Sequence, residues 1–121
     1  MTSASKRKGD RAELELAGLL ADLLGFPIRR KLGAGRADDT GDLDGIPDTV
    51  IQVANWNNAL RAVREKPHGA EEQRLNAGAT FAATAVRLVG GTWRFVLTPE
   101  QYATYVRNSI PTQPAPTKET P

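Results

Sequence analysis

The stretch Thr49-Val50-Ile51-Gln52-Val53-Ala54-Asn55-Trp56 decides the fold of this chain. Its apolar, β-branched residues predict a short strand, with a glutamine in the middle. Because alternate side chains of a strand point to the same face, Gln52 shares its face with Val50 and Ala54. A glutamine among apolar side chains needs hydrogen-bond partners for its amide. Gln52 is therefore a candidate functional residue, whose amide oxygen can bind a metal ion, although without charge.

Two carboxylates lie just ahead of this strand. Asp42 and Asp44 follow a glycine-rich loop over residues 33–41 and share one face of a predicted strand over residues 42–46. Asp42 is a candidate metal ligand because Mg²⁺ prefers hard oxygen atoms. The competing interpretation is turn chemistry, since aspartate is common beside glycine in turns.

Glu13 is the third candidate, and it lies in a predicted helix over residues 9–25. Apolar side chains at helical spacing form one stripe along this helix: Leu16, Ala17, Leu20 and Leu24. Glu13 is in line with that stripe, whereas Glu15 points to nearly the opposite side. A carboxylate at the end of a buried stripe needs a metal ion or a basic partner. The alternative is an acid near a helix start, favoured there by the helix dipole.

The remaining segments alternate between strand and helix patterns. We predict strands over residues 26–32, 42–46, 49–55, 80–89 and 92–97, and further helices over residues 57–66, 70–77 and 98–107. Leu60 and Val63 are the predicted buried face of the middle helix, which Pro67 breaks. In the last helix, Thr98 and Gln101 predict a capping box.

This order of helix, three strands, broken helix, two strands and helix predicts an α/β fold. We expect a mixed five-stranded central sheet flanked by helices, as in restriction-endonuclease-like proteins. Residues 9–108 form the predicted domain, and residues 1–8 are predicted to be a flexible basic arm. Residues 109–121 contain four prolines and no core-forming pattern, so we expect a disordered tail.

Basic residues fall into two groups that flank the candidate site. The net charge is only +2, so the distribution says more than the total. The first group is Lys6, Arg7, Lys8 and Arg11, and the second is Arg29, Arg30, Lys31 and Arg36. Either group alone is compatible with solvated surface charge. Together they predict a phosphate-binding surface, to which Asn55 could contribute unless it only caps the next helix.

Composition excludes several kinds of site. The chain has no cysteine and His68 as its single histidine, so disulfides, thiolate zinc sites and histidine-based metal clusters are excluded. No apolar run approaches membrane-spanning length, and the basic start lacks the apolar stretch of a secretory signal. We expect a cytoplasmic protein with no membrane partner.

A set of motifs in a fixed order resembles a known family. The set consists of Lys8-Gly9-Asp10-Arg11-Ala12-Glu13-Leu14-Glu15-Leu16, Gly25-Phe26, Ile28-Arg29-Arg30, Asp42-Leu43, Ile51-Gln52-Val53-Ala54 and Trp93-Arg94-Phe95. It is similar to the archaeal-type Holliday junction resolvases, of the PD-(D/E)xK nuclease superfamily, and to small resolvase-type nucleases of actinobacterial phages. The resemblance covers roughly residues 6–107.

The resemblance implies an Mg²⁺-dependent endonuclease that acts on branched DNA, with Mn²⁺ as an alternative ion. Glu13 and Asp42 match the family's metal-site acids, and Gln52 stands where its second strand acid belongs. These three are the implied catalytic and metal-binding residues. Arg30 matches a basic position near DNA, and a two-fold homodimer with four-way junctions as partner is implied.

Two departures from the family pattern leave the function open. Gln52 lacks the acid's charge, and Ala54 offers a methyl group where a lysine would stabilise the developing phosphorane charge. A cation of the following helix could substitute: Arg61, Arg64 or Lys66. The protein could instead bind junctions without cutting them, or the printed sequence could carry inactivating changes. A protein-binding module, docking through its proline-rich tail, is the third hypothesis.

Overall fold

The computed structural model of the protein describes residues 4–31 and 40–111. Its elements are helix α1 (Ala4–Leu24), strands β1 (Arg29–Arg30), β2 (Leu43–Asp44) and β3 (Thr49–Ala54), helix α2 (Ala59–Ala77), strands β4 (Phe81–Arg87) and β5 (Trp93–Val96), and helix α3 (Pro99–Ser109). The predicted α/β class and the predicted element order are confirmed. No helix in the described part of the chain combines the length and apolar character needed to cross a membrane.

The predicted single five-stranded sheet is wrong. Strands β1 and β2 form an antiparallel pair of their own, and β3, β4 and β5 form a second sheet in which β3 and β4 are parallel. The backbone N–H of Asp42 donates to the carbonyl of Ile51 at 2.9 Å, but the Asp42 carboxylate accepts the next available N–H, from Val53. The Asp42 side chain therefore occupies the Val53 N–H, which would pair with the backbone of a neighbouring strand if the strand ladder continued.

Helices cover both faces of the three-stranded sheet. Leu16 and Ala17 of α1 pack with Ile51 and Val53 of β3 on one face. On the other face, β3 residues Val50 and Ala54 belong to separate clusters that contain small residues of α2. Alternate positions of β3 therefore enter two different cores, and this alternation decides which side chains reach the site.

Helix α2 differs from its prediction in two respects. It runs without a break through Pro67, because caps at Asn58 and Gly78 and burial of the proline ring hold it together. The predicted buried face is also wrong, since Leu60 is 70% exposed and Val63 is exposed as well. The residues that face the core are Ala62, Pro67, Ala70 and Gln73. Small side chains let α2 approach the sheet closely.

The terminal helices also refine the predictions. Helix α1 begins at Ala4 rather than at residue 9, so most of the predicted basic arm lies within its first turns. Leu24, predicted on the buried stripe, is 47% exposed. The capping box of Thr98 and Gln101 is confirmed. Residues 112–121 of the predicted tail lie outside the described residues.

Candidate functional site

A cleft of about 680 Å³ opens beside the carboxyl end of β3, between α1 and the start of α2. Its polar lining has three classes of side chain: the acids Glu13 and Asp42, the cations Lys8, Arg61 and Lys66, and the amides Asn55, Asn57 and Asn58. Trp56 adds an aromatic surface. Three catalytic residues were predicted: Glu13, Asp42 and Gln52. The structure brings the first two of them to one cavity.

The Asp42 carboxylate is fixed by the backbone around it. Asp42 is 8% exposed, and its Oδ2 accepts the backbone N–H of Val53 at 2.7 Å. Gly41 precedes it with φ at +109°, where an added Cβ would lie 2.9 Å from the side chain of Val50. Glycine is thus required for the chain to pass this close to β3. The turn positions Asp42 at the cleft.

The Glu13 carboxylate is paired with Arg30. The guanidinium Nε donates to Glu13 Oε1 at 2.9 Å, and its Nη2 donates to Asp10 Oδ1 at 2.8 Å. The hydrogen bond to Glu13 raises the pKa of Arg30 further, and the charges of Asp10, Glu13 and Asp42 act in the same direction against the effect of burial. Two carboxylates therefore share one guanidinium, and the basic partner expected for Glu13 is Arg30.

Gln52 does not line this cleft. It is 7% exposed and faces α2, where an added Cβ at Gly69 would come within 3.6 Å of its Nε2. Its Oε1 is buried without a hydrogen-bond partner among the described residues, as is Oγ1 of its cross-strand neighbour Thr84. The structure does not bring Gln52 together with Glu13 and Asp42. Ala54, on the same face, is also buried.

Two carboxylates in one cleft fit the needs of Mg²⁺. Magnesium is held by one or two protein carboxylates, with water and substrate phosphates completing its shell. Glu13 and Asp42 could supply those ligands. Within residues 4–31 and 40–111, no three histidine, cysteine or acidic side chains are arranged to hold a metal ion by themselves.

The first predicted basic group contributes unequally to the cleft. Lys8 lines it, with its Nζ donating to Asn57 Oδ1 at 2.7 Å. Lys6 and Arg7 are exposed on the first turns of α1, and Lys6 pairs with Asp10 at 3.4 Å. Arg11 lines an adjoining groove of about 380 Å³. Asn55 lines both the cleft and this groove, so it connects them.

The second basic group lies mostly beside the cleft rather than within it. Arg30 points inward to its acid partners, and Arg29 is exposed on β1. Lys31 donates to the backbone carbonyl of Thr40 at 3.4 Å. Arg36 lies outside the described residues. The cations that line the cleft therefore lie on α1 and α2, and none of them lies on β1.

Two site residues escaped the sequence analysis. Asp10 shares Arg30 with Glu13, and its position one helical turn earlier is the signal that could have revealed it. Trp56 has two cations near its ring: Lys66 Nζ is 5.1 Å from the ring centroid and Arg61 Cζ is 5.6 Å from it. An aromatic residue next to asparagines at a strand end was the available signal. Arg64, the third cation considered, does not line the cleft.

Glu15 joins α1 to the far edge of the sheet. Its carboxylate accepts from Arg87 Nε at 2.9 Å and from the indole of Trp93 at 2.7 Å. These two bonds lower the pKa of Glu15. Glu15 thus orients α1, on which Glu13 is carried.

Compared with family models, with curated proteins and with solved structures, the chain shows no match. The candidate site is therefore argued from its geometry and chemistry.

Proposed function

We propose that this protein is a divalent-metal-dependent DNA endonuclease of the Holliday junction resolvase type, which hydrolyses phosphodiesters in branched DNA. The observation that carries the proposal is the meeting of Glu13 and Asp42, from two different elements, in a cleft that cations and amides also line. Acidic oxygens hold a hard metal ion, and cations nearby hold phosphate. A site that acts on a phosphate ester through a metal ion needs both.

Glu13 and Asp42 would hold Mg²⁺, or Mn²⁺ in its place. When bound, such an ion polarises a phosphoryl oxygen and lowers the pKa of a coordinated water. Asp42 is suited to this role because its hydrogen bond to Val53 fixes one oxygen and so sets the direction of the other. Arg30 orients Glu13, because it anchors one oxygen of that carboxylate.

Lys66 is the cation that would substitute for the lysine missing at Ala54. It lies on α2 and lines the same cleft as Asp42, as does Arg61. An ammonium in this cleft can stabilise the charge that develops on the phosphorane. Lys8, held by Asn57 on the opposite wall, would bind the neighbouring phosphate. Symmetric incision of a junction would need two such clefts, hence a two-fold dimer.

A non-catalytic DNA-binding protein is the second candidate. The observation that favours it is the engagement of Glu13 by Arg30, together with the burial of Gln52 and Ala54 away from the cleft. Such a protein would bind junctions with an affinity that falls steeply with salt. Divalent metal ions would not change that affinity.

Incubation of the protein with a labelled synthetic four-way junction in Mg²⁺ separates the two candidates. The proposal predicts paired nicks in the wild-type reaction and none with Asp42→Asn or in EDTA. Asp44→Asn is the matched control, since Asp44 is exposed two positions away and does not line the cleft. Junction binding without nicks in Mg²⁺ and in Mn²⁺ would establish the second candidate instead.

A further inference from the structure

We propose that Trp56 is a stacking platform for an unpaired DNA base, so that the cleft recognises a strand with at least one nucleotide out of the duplex. The inference rests on the proposed function only in placing DNA in this cleft. It adds a substrate class, unpaired nucleotides at a branch or fork, and assigns its recognition to one side chain.

The position of Trp56 suits a fixed platform. It lies two residues after the end of β3, is half-buried, and packs against the cluster of Ala54, Ala62 and Val86. Trp56 also lines the cleft. A ring already held by core packing loses little freedom when a ligand stacks on it.

The two cations near the Trp56 ring also suit a nucleotide site. Lys66 Nζ and Arg61 Cζ are 5.1 and 5.6 Å from the ring centroid. The Arg61 side chain is 61% exposed. At exposed sites a cation over an aromatic ring contributes a factor of only about two to five to an equilibrium constant. A stacked base contributes about 5- to 150-fold, so a base can displace the cations toward its flanking phosphates.

The size and lining of the cleft favour one nucleotide over a duplex. Its volume of about 680 Å³ is in the range of sites that bind single small ligands. Bases within a duplex are covered by their neighbours, so only an unpaired or extruded base offers a face to Trp56. Asn55, also in the lining, has an amide suited to hydrogen bonds with a base edge.

A binding experiment without metal tests this inference apart from cleavage. Fluorescence anisotropy in EDTA would compare a labelled oligothymidine with a blunt duplex, using wild type, Trp56→Leu and Trp93→Phe. Trp93 is the control position because it is a half-buried tryptophan outside the cleft. Phenylalanine keeps a ring packed on the core, and Arg87 still holds Glu15. We expect Trp56→Leu to weaken oligothymidine binding about 5- to 150-fold and to leave duplex binding within about twofold. The Trp93→Phe variant should bind both as wild type does.

Tryptophan fluorescence gives a second measurement that does not depend on the Trp56→Leu variant folding well. In Trp93→Phe the one remaining tryptophan is Trp56, and oligothymidine should quench its emission; in wild type the quenching should be partial. The inference is overturned if the Trp56 emission is unchanged while the oligonucleotide binds. It is also overturned if a folded Trp56→Leu binds oligothymidine as wild type does. If the protein stacks bases on Trp56 but never cuts DNA, the proposed function is contradicted and the inference about Trp56 still stands.

Discussion

Val53 donates its backbone N–H to Asp42 Oδ2 at 2.7 Å, and together with the bond from the Asp42 N–H to the Ile51 carbonyl it joins the segment that leads into β2 to β3 at the cleft. Asp42 therefore has two roles, since it is also the strongest candidate metal ligand. Substitutions that keep the hydrogen bond but remove the charge can separate the two roles.

Asp42→Ala should destabilise the fold, whereas Asp42→Asn should largely preserve it. The alanine variant leaves the Val53 N–H buried without its partner, at a cost of about 1–3 kcal/mol in the free energy of unfolding. Asparagine retains an acceptor oxygen and loses only the charge. Urea denaturation of both variants measures the difference. Equal stability of Asp42→Ala and wild type would mean that the bond to Val53 contributes nothing.

Arg30→Ala should destabilise the protein by about 1–3 kcal/mol, because it removes two charged hydrogen bonds from partly buried carboxylates. The Glu13 side chain is only 14% exposed, so it cannot recover full hydration. Arg29→Ala, on the adjacent exposed residue, is the matched control and should change stability little. Thermal unfolding of the two variants tests this prediction, which fails if both lose the same amount.

Gln52→Met should fold as well as wild type and keep its cleavage rate. Its Oε1 has no hydrogen-bond partner among the described residues, so an apolar side chain of similar volume should cost less than about 1.5 kcal/mol. A residue that stabilised the transition state would cost about a hundredfold in rate when replaced. Single-turnover cleavage by this variant decides between the position seen here and the metal-site role that the resemblance implies. A hundredfold loss of cleavage rate with normal stability would show that Gln52 acts in the catalytic site.

The sequence predicts the helices and strands of this chain better than it predicts which faces they bury. Alternation correctly groups Gln52 with Val50 and Ala54 on one face of β3. It cannot say which layer that face meets, because Ile51 and Val53 on the other face are equally apolar and both faces are covered. The sequence therefore could not predict that Gln52 faces α2 and does not line the cleft of Glu13 and Asp42.

Helix α2 shows a second limit. Large apolar residues such as Leu60 normally indicate the buried face, but this helix packs through alanines and Pro67 because it lies close to the sheet. Local hydrophobicity carries no information about that distance. The sequence predicts that Glu13 needs a partner. That this partner is Arg30 depends on the β1–β2 pair, which only the structure reveals.

The stability of the protein should fall as the pH drops below about 4.5, in part through Glu71. Arg74 and then Gln101 donate to its carboxylate and lower its pKa below the ordinary 4.5. A group with a lowered folded-state pKa stabilises the fold above its unfolded value, and that contribution is lost as the pH falls through the folded one. The difference in urea midpoint between wild type and Glu71→Gln should therefore be larger at neutral pH than well below 4.5.

Glu72→Gln is the control for this effect, since Glu72 is the exposed neighbour on the same helix. Its difference from wild type should be small at both pH values. A Glu71→Gln difference that does not change with pH would contradict the assigned role of the Arg74 and Gln101 contacts.

The central claim is that Glu13 and Asp42 bind one divalent ion together, and iron-directed cleavage of the polypeptide tests it most directly. Fe²⁺ takes oxygen ligands, and it reduces added hydrogen peroxide to hydroxyl radicals that cut the backbone close to the bound ion, while ascorbate regenerates Fe²⁺. We predict fragments ending near residues 13 and 42, suppressed by excess Mg²⁺ and lost in Asp42→Asn. Cuts that are absent from both positions, or that Mg²⁺ does not suppress, would contradict the claim.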